Sequence, residues 1–315
     1  MIPVRPHEVI SVAVFLLVLL ALYGWEAVLL GRAAVARIRR RPVRAVLTSR
    51  TALVVHSLAV LGIICMLYGR FIEPFRVEVN LMTVHTPHLG KASFRIVQIS
   101  DLHCDAMPRN EEQMVRTVNA LRPDIVVATG DYLNDIAGLP RLKEALGRLD
   151  AALGKFAVTG NFEVDRWSGL DLLEGTGFQR LDMDTVSVAR DGETIAIYGL
   201  AMDRSRDGKA FLQGLPHDRF NVLLYHTPDL IEDVDGLGIS LYLCGHTHGG
   251  QVALPLYGAL ITFSRHGKKY ESGTYRVGDT MLYVNRGLGL ERRPAPQVRF
   301  LARPEIAVFD IVPGP

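Results

Sequence analysis

Seven residues of the kinds that bind divalent ions follow directly on short apolar runs in this chain. Asp101 and His103 come after FRIVQIS, Asp131 after DIVVATG, and Asn161 after KFAVTG. His226 ends FNVLLY, and His246 and His248 follow ISLYLCG within GHTHGGQ. Side chains two apart in an extended segment point the same way, and the flanking glycines let the backbone turn without a Cβ clash. Carboxylate, imidazole and amide oxygen together suit divalent manganese, iron or zinc. One carboxylate shared by two ions explains seven donors in place of four. Each residue alone has a plainer reading: a turn aspartate or asparagine, or an interior histidine. Their joint occurrence, each at a strand end, points to a dinuclear site.

The elements that must position these residues are legible in outline. Phe94–Ser100, Asp124–Thr129 and Lys155–Thr159 read as strands, separated by helices over Glu111–Leu121 and Leu139–Leu153. Such alternation argues a layered α/β domain, and in open α/β sheets ligands gather at the carboxyl ends of strands. After Gly177 the texture turns to strands: Thr185–Arg190, Thr194–Leu200, Phe220–Tyr225, Ile239–Leu243, Gly273–Val277, Met281–Val284 and Glu305–Ile311. Two sheets packed face to face, with helices outside, are expected over 94–315. Residues 77–93 read as a connector with a strand-like alternation at Arg76–Asn80.

Residues 1–76 differ in kind. Two apolar runs, about 9–30 and 51–69, approach the ~20 residues needed to cross a bilayer core, with Trp25 and Tyr68 near their ends. A cleaved signal peptide is disfavoured by the length of the first run and by the second run that follows it. The stretch 31–50 holds Arg32, Arg37, Arg39, Arg40, Arg41, Arg44 and Arg50 and no acid. The positive-inside rule places it in the cytoplasm, so everything after Phe71 is expected on the outer, periplasmic or extracellular, side of a bacterial inner membrane. The hairpin also explains the charge, +7 over 1–76 against −5 for the remainder. A mildly acidic main domain argues against nucleic acid as a partner. Cys65, Cys104 and Cys244 form no disulfide framework and read as buried filler.

In this order, DLH, GD, GN, H and GHTH resemble the motifs of the calcineurin-like metallophosphoesterases, over roughly Phe94 to Ile311. GHTHGGQ with NRGLG (Asn285–Gly289) and ARPEI (Ala302–Ile306) is similar to a membrane-attached bacterial branch of that family. The resemblance implies a four-layered α/β/β/α sandwich, preceded here by the two-helix transmembrane hairpin. It implies Asp101, His103 and His248 on one metal, Asn161, His226 and His246 on a second, and Asp131 bridging both. Catalysis would then depend on Asp131, His226 and His246. The ions would be two manganese, with iron, zinc or magnesium as alternatives. Such a pair clamps a phosphate, lowers the pKa of a bridging water that attacks as hydroxide, and stabilises in-line displacement. The expected partners are therefore a phosphoester, a phosphodiester or pyrophosphate that lipid could carry, and the bilayer.

One position departs from the family pattern. Where most members have GNH, this chain has Gly160-Asn161-Phe162, and general acid catalysis is typically worth about 10²–10⁴-fold. Three readings follow: a catalytically silent metal-binding membrane module, a substitute group, or a leaving group that needs no proton. His217, His266, Arg204 and Arg286 are the candidate substitutes. Glu163, Tyr132 and Asn134 lie beside the ligands and are expected to orient imidazoles, and Arg204 or Arg206 to meet phosphate. UDP-2,3-diacylglucosamine hydrolases of lipid A synthesis, which the chain distantly resembles, also lack the histidine. They supply the alternative function, although they act on the cytoplasmic side.

Overall fold

The computed structural model describes residues 4–291 and 296–314. Both apolar runs form helices long and apolar enough to cross a membrane. α1 (Pro6–Ile38) starts with proline in its first turn, and Ser49 caps α3 (Arg50–Phe71) by accepting the Ala52 N–H at 3.2 Å. The short α2 (Arg44–Leu47) joins them. The two long helices pair antiparallel: the Tyr23 hydroxyl donates to Ala59 O (3.1 Å), and His56 Nδ1 lies 2.7 Å from Glu26. These polar groups within the two apolar helices thus have partners. Much of the basic stretch expected as loop is helical instead. Its alanines and arginines are good helix formers, and the stretch has no proline before Pro42.

The expected connector is also a structural element. β1 (Glu78–Thr86) pairs in parallel along its whole length with the last strand of the chain, Glu78 on Glu305 through Thr86 on Pro313. Its intermediate and exposed residues alternate, the mark of an edge strand half-covered on one face. The domain therefore begins before Phe94. It continues through β2 (Phe94–Ile99), α4 (Glu111–Ala120), β3 (Ile125–Thr129), α5 (Leu139–Gly147), β4 (Gly154–Val158), α6 (Asn161–Arg166) and β5 (Gln179–Arg180). α5 stops at Gly147, short of the expected Leu153. Beyond it, Asn119 of α4 draws the chain away by bonding Arg148 O and the Asp150 N–H.

The second half comprises β6 (Asp184–Arg190), β7 (Glu193–Gly199), α7 (Ser205–Phe211), β8 (Phe220–Leu224) and β9 (Leu241–Cys244). A small hairpin, β10 (Ala253–Leu254) with β11 (Gly258–Ala259), precedes β12 (Gly273–Val277), β13 (Thr280–Val284) and β14 (Glu305–Pro313). Two six-stranded sheets result, in the orders β1-β14-β2-β3-β4-β5 and β12-β13-β9-β8-β7-β6. The strands β2, β3 and β4 run parallel, as do β13, β9, β8 and β7. Ile96, Ile125, Val127 and Phe156 of one sheet pack on Ile197, Val222, Leu224 and Leu243 of the other. α4 and α5 cover the outer face of the first sheet through Met114, Val118, Leu142 and Leu146. α7 and the turns around Leu212, Leu230 and Val234 cover the second. The four layers bring the carboxyl ends of β2, β3, β4, β8 and β9 to one side.

Candidate metal centre

Past their ends, β2 and β3 remain paired. The N–H groups of His103 and Cys104 bond the carbonyls of Asp131 and Tyr132 at 3.0 and 2.9 Å, and that of Asp101 bonds Gly130 O at 3.0 Å. This fixes Asp101, His103 and Asp131 side by side. Asp101, His103, Asp131, His246 and His248 all adopt left-handed backbone, with φ from 42° to 72°. For residues with a Cβ that region costs roughly 1–2 kcal/mol each, and such strain clusters at functional sites. Two glycines allow the close approach. A Cβ on Gly245 would strike the Asp101 carboxylate and the Ser100 hydroxyl, and one on Gly160 the Asp131 carboxylate.

The donors converge as two groups. Ligand atoms of Asp101, His103 and His248 lie within 4.8 Å of one another, as do those of Asp131, His226 and His246. Asp131 stands between them: its Oδ2 is 3.7 Å from His103 Nε2 and 3.4 Å from His226 Nε2. Asn161 Oδ1 lies 3.1 Å from His226 Nε2. Ring nitrogens also face each other in pairs at 3.1 Å, His103 Nε2 on His248 Nε2 and His246 Nδ1 on His226 Nε2. The opposite nitrogens are held from outside. His103 Nδ1 meets Asn134 Oδ1 (2.9 Å), His226 Nδ1 meets Thr129 O (2.7 Å) and His246 Nε2 meets Phe263 O (3.1 Å). Carbonyl acceptors fix the tautomer and aim the free lone pair inward, the usual support of a metal-binding imidazole. These convergent donors, all buried but the half-buried Asn161 and His246, fit a pair of divalent cations.

Charge in the protein without ions is consistent with that fit. Burial lowers His103 and His246 to about 4 and His248 well below the usual imidazole range, so all three are neutral at pH 7. Burial pushes Asp101 up to about 7. Burial alone would also raise Asp131 and lower His226, but their mutual attraction outweighs it. Asp131 ends well below the carboxylate range and His226 rises to about 10.

The residues expected beside the ligands divide. Asn134 orients His103 through its side-chain oxygen. Glu163 orients backbone instead, accepting the N–H groups of Asp131, Tyr132 and Gly160 at 2.8–2.9 Å. The Tyr132 hydroxyl braces strand ends by donating toward Val158 O and Ala128 O. Arg286 is committed to Glu78 (2.8 Å) and Glu305 (2.5 Å), and Arg204 lies 3.7 Å from Asp182. His266 packs on Tyr270 with Nε2 3.2 Å from Asp229 O, and His217 packs over Gly238. None of these four reaches the donors. His217, His266 and Arg204 lie outside the motifs in sequence, so spacing could not place them, and Arg286, within NRGLG, is turned to the two glutamates.

Other residues do reach the site. Phe162 and Arg166 occupy successive turns of α6, an element the sequence pattern did not reveal. The Phe162 N–H bonds Asp131 Oδ1 at 2.9 Å, and its ring stands edge-on to His103 at 4.7 Å. The Arg166 guanidinium lies over that ring, 4.2 Å from its centroid. The fully buried Arg299 donates to Gly289 O and Ala302 O and sets Nη2 3.2 Å from His248 Nδ1. Before the donors lies a cavity of about 570 Å³, walled by Phe162, Arg166, Met202, Phe263 and Glu291. Burial, with Asp131 and Asp101 adding to it, pushes Glu291 up to about 7.

A family model described as "Calcineurin-like phosphoesterase" matches residues 94–250. The chain is 37% identical over 263 residues to the metallophosphoesterase YkuE of Bacillus subtilis, covering 78% of this chain and 88% of that protein. It is 29% identical to a bovine transmembrane protein with metallophosphoesterase domain, covering 85% of this chain and 64% of that one. It is 25% identical to the UDP-2,3-diacylglucosamine pyrophosphatase LpxG of Chlamydia trachomatis, covering 77% and 92% respectively.

Proposed function

The chain belongs to the calcineurin-like phosphoesterase family, and from that premise we propose a membrane-anchored hydrolase of a phosphodiester or pyrophosphate, with residues 1–76 as the anchor and manganese as the metal. The observation that carries this reading is the convergence of two donor groups, Asp101–His103–His248 and Asp131–His226–His246, with Asn161 beside His226 and Asp131 Oδ2 between His103 and His226.

Asp101, His103 and His248 would hold one ion, Asn161, His226 and His246 the other, and Asp131 both. The chemistry supplied there when the pair is bound would be polarisation of a phosphoryl group and acidification of a water. The chain's own part is to aim and to exclude. Thr129 O and Phe263 O keep the ring protons of His226 and His246 on the outer nitrogens. Phe162, Met202 and Phe263 keep bulk water from the cavity, which strengthens every charge inside it. Arg166, carried on the Phe162 ring, neutralises charge developing on the phosphate or its leaving oxygen. A guanidinium does not give up its proton, so this group suits a leaving group already stable as an anion. A nucleotide or a pyrophosphate answers that description.

Full-length protein in detergent, loaded with manganese, is expected to hydrolyse bis-p-nitrophenyl phosphate. Asp131→Ala and His246→Ala are expected to abolish turnover. Protein with two ions bound but inert on aryl diesters and pyrophosphates alike would sink the proposal. A narrower reading, a UDP-2,3-diacylglucosamine pyrophosphatase, draws support from the likeness to LpxG. Release of UMP from that substrate is its test.

A further inference from the structure

Beside the metal cavity runs a second, mostly apolar groove of about 510 Å³. One wall is α1 itself, through Val12, Phe15 and Leu16; the other is Val252, Leu260 and Ile261 of the catalytic domain. The two cavities share His248, Phe263 and Glu291, so the groove leads from the first helix to a metal-ligand candidate.

The wall is built in place. Glu8, 1% exposed, accepts the Thr262 N–H at 2.8 Å and its hydroxyl at 2.7 Å. The end of α3 is tied down as well: the Arg299 N–H bonds Gly69 O at 2.9 Å, and Glu73 accepts the Ala302 N–H at 2.7 Å. The register that sets Tyr23 against Ala59 and Glu26 against His56 also sets Val12–Leu16 level with Met66–Arg70. That level is the outer end of α3, where a span leaves the hydrocarbon for the headgroup region.

We propose that this groove takes an acyl chain of a membrane lipid whose phosphoester lies at the metal centre, with the membrane helix α1 as part of the binding site. The inference rests on the phosphoesterase reading and names its substrate class. Hydrocarbon is the occupant that matches an apolar groove opening at bilayer level onto a phosphate-binding cavity. A water-soluble phosphoester has no use for the α1 wall. The proposal makes the hairpin a component of specificity as well as a tether.

The test uses full-length protein in phosphatidylglycerol vesicles doped with phosphatidylglycerol bearing a diazirine at the end of one acyl chain. After photolysis, label is expected on peptides spanning 252–263, in addition to the lipid-facing sides of α1 and α3. Val12→Trp is expected to lower labelling of 252–263 about tenfold by filling the groove. Leu16→Trp, one turn further along the helix, reads the same space should the first variant fail to insert. Label confined to α1 and α3, or undiminished on 252–263 in both variants, overturns the proposal. Hydrolysis of bis-p-nitrophenyl phosphate by the unlabelled wild type reports separately on the phosphoesterase reading, so the two failures are distinguishable.

Discussion

Phe162 stands where most of the family carries a histidine, with its edge on His103 and its face under Arg166. On the proposed reading, the charge-stabilising role falls to the next turn of α6, where Arg166 lies over the Phe162 ring. Removing one charge-stabilising donor from an active site typically costs about 10²–10³-fold, and Arg166 is exposed, so the lower end applies. Arg166→Ala is expected to reduce kcat/KM roughly 10²-fold with both ions retained. Arg166→Lys should restore little, because an ammonium lacks the planar fork. Equal turnover in wild type and Arg166→Ala removes the assignment. The same donors set the pH dependence of ion binding. His226 is raised to about 10 and Asp101 to about 7, so an incoming cation must displace their protons, whereas His103, His246 and His248 are already neutral. Affinity therefore falls as pH falls. The logarithm of the apparent constant for filling the pair should rise by about two per pH unit below pH 7 and by about one between pH 7 and 10. Manganese titration calorimetry in buffers of different ionisation enthalpy counts those protons. A flat profile from pH 6 to 9 contradicts a protonated His226 and Asp101 in the ion-free protein.

At the scale of elements, β1 carries more than its position suggests. It joins the first residues after the hairpin to the last strand of the domain, covering β14 along nine residue pairs. An uncovered strand presents unpaired N–H and C=O groups that recruit other chains. Two truncations separate anchor from sheet. A chain beginning at Val77 keeps β1 and is expected to remain monodisperse in mild detergent. A chain beginning at Phe94 exposes β14 and is expected to aggregate, as size-exclusion chromatography will register. Similar behaviour of the two would mean that β1 adds nothing to the sheet. α6 teaches the complementary lesson. Six residues are too few to show helical periodicity, yet this turn aims both Phe162 and Arg166 at the cavity.

Across the whole molecule, both the start of α1 and the end of α3 are bonded to the catalytic domain, through Glu8 with Thr262 and Gly69 with Arg299. The basic stretch Arg32–Arg50 lies at the other end of the hairpin. If the hairpin crosses the bilayer, all of the metal centre is on one side and these arginines are on the other. The arginine rule assigns them to the cytoplasm. In a bacterial host, alkaline phosphatase fused at the C-terminus is then expected to be active, and green fluorescent protein at the same place dark. The reverse pattern puts the metal centre in the cytoplasm and favours the nucleotide-linked lipid substrate of the LpxG type.

The sequence by itself determined the candidate donors and the two long apolar helices, because both are local: a donor just past a strand end, and an unbroken run of apolar residues. Only the tertiary structure decided how the donors are held. Thr129 O and Phe263 O orient His226 and His246, and a backbone carbonyl has no residue signature. The left-handed backbone at five donors is likewise a consequence of the pairing and packing that over-determine those turns. Arg299, by its type an expected surface residue, is buried beside His248 because the carbonyls of Gly287, Gly289 and Ala302 converge on its guanidinium. The groove between α1 and the Val252–Ile261 segment joins the first helix of the chain to a turn near its other end. No local pattern encodes a surface made by two such distant segments.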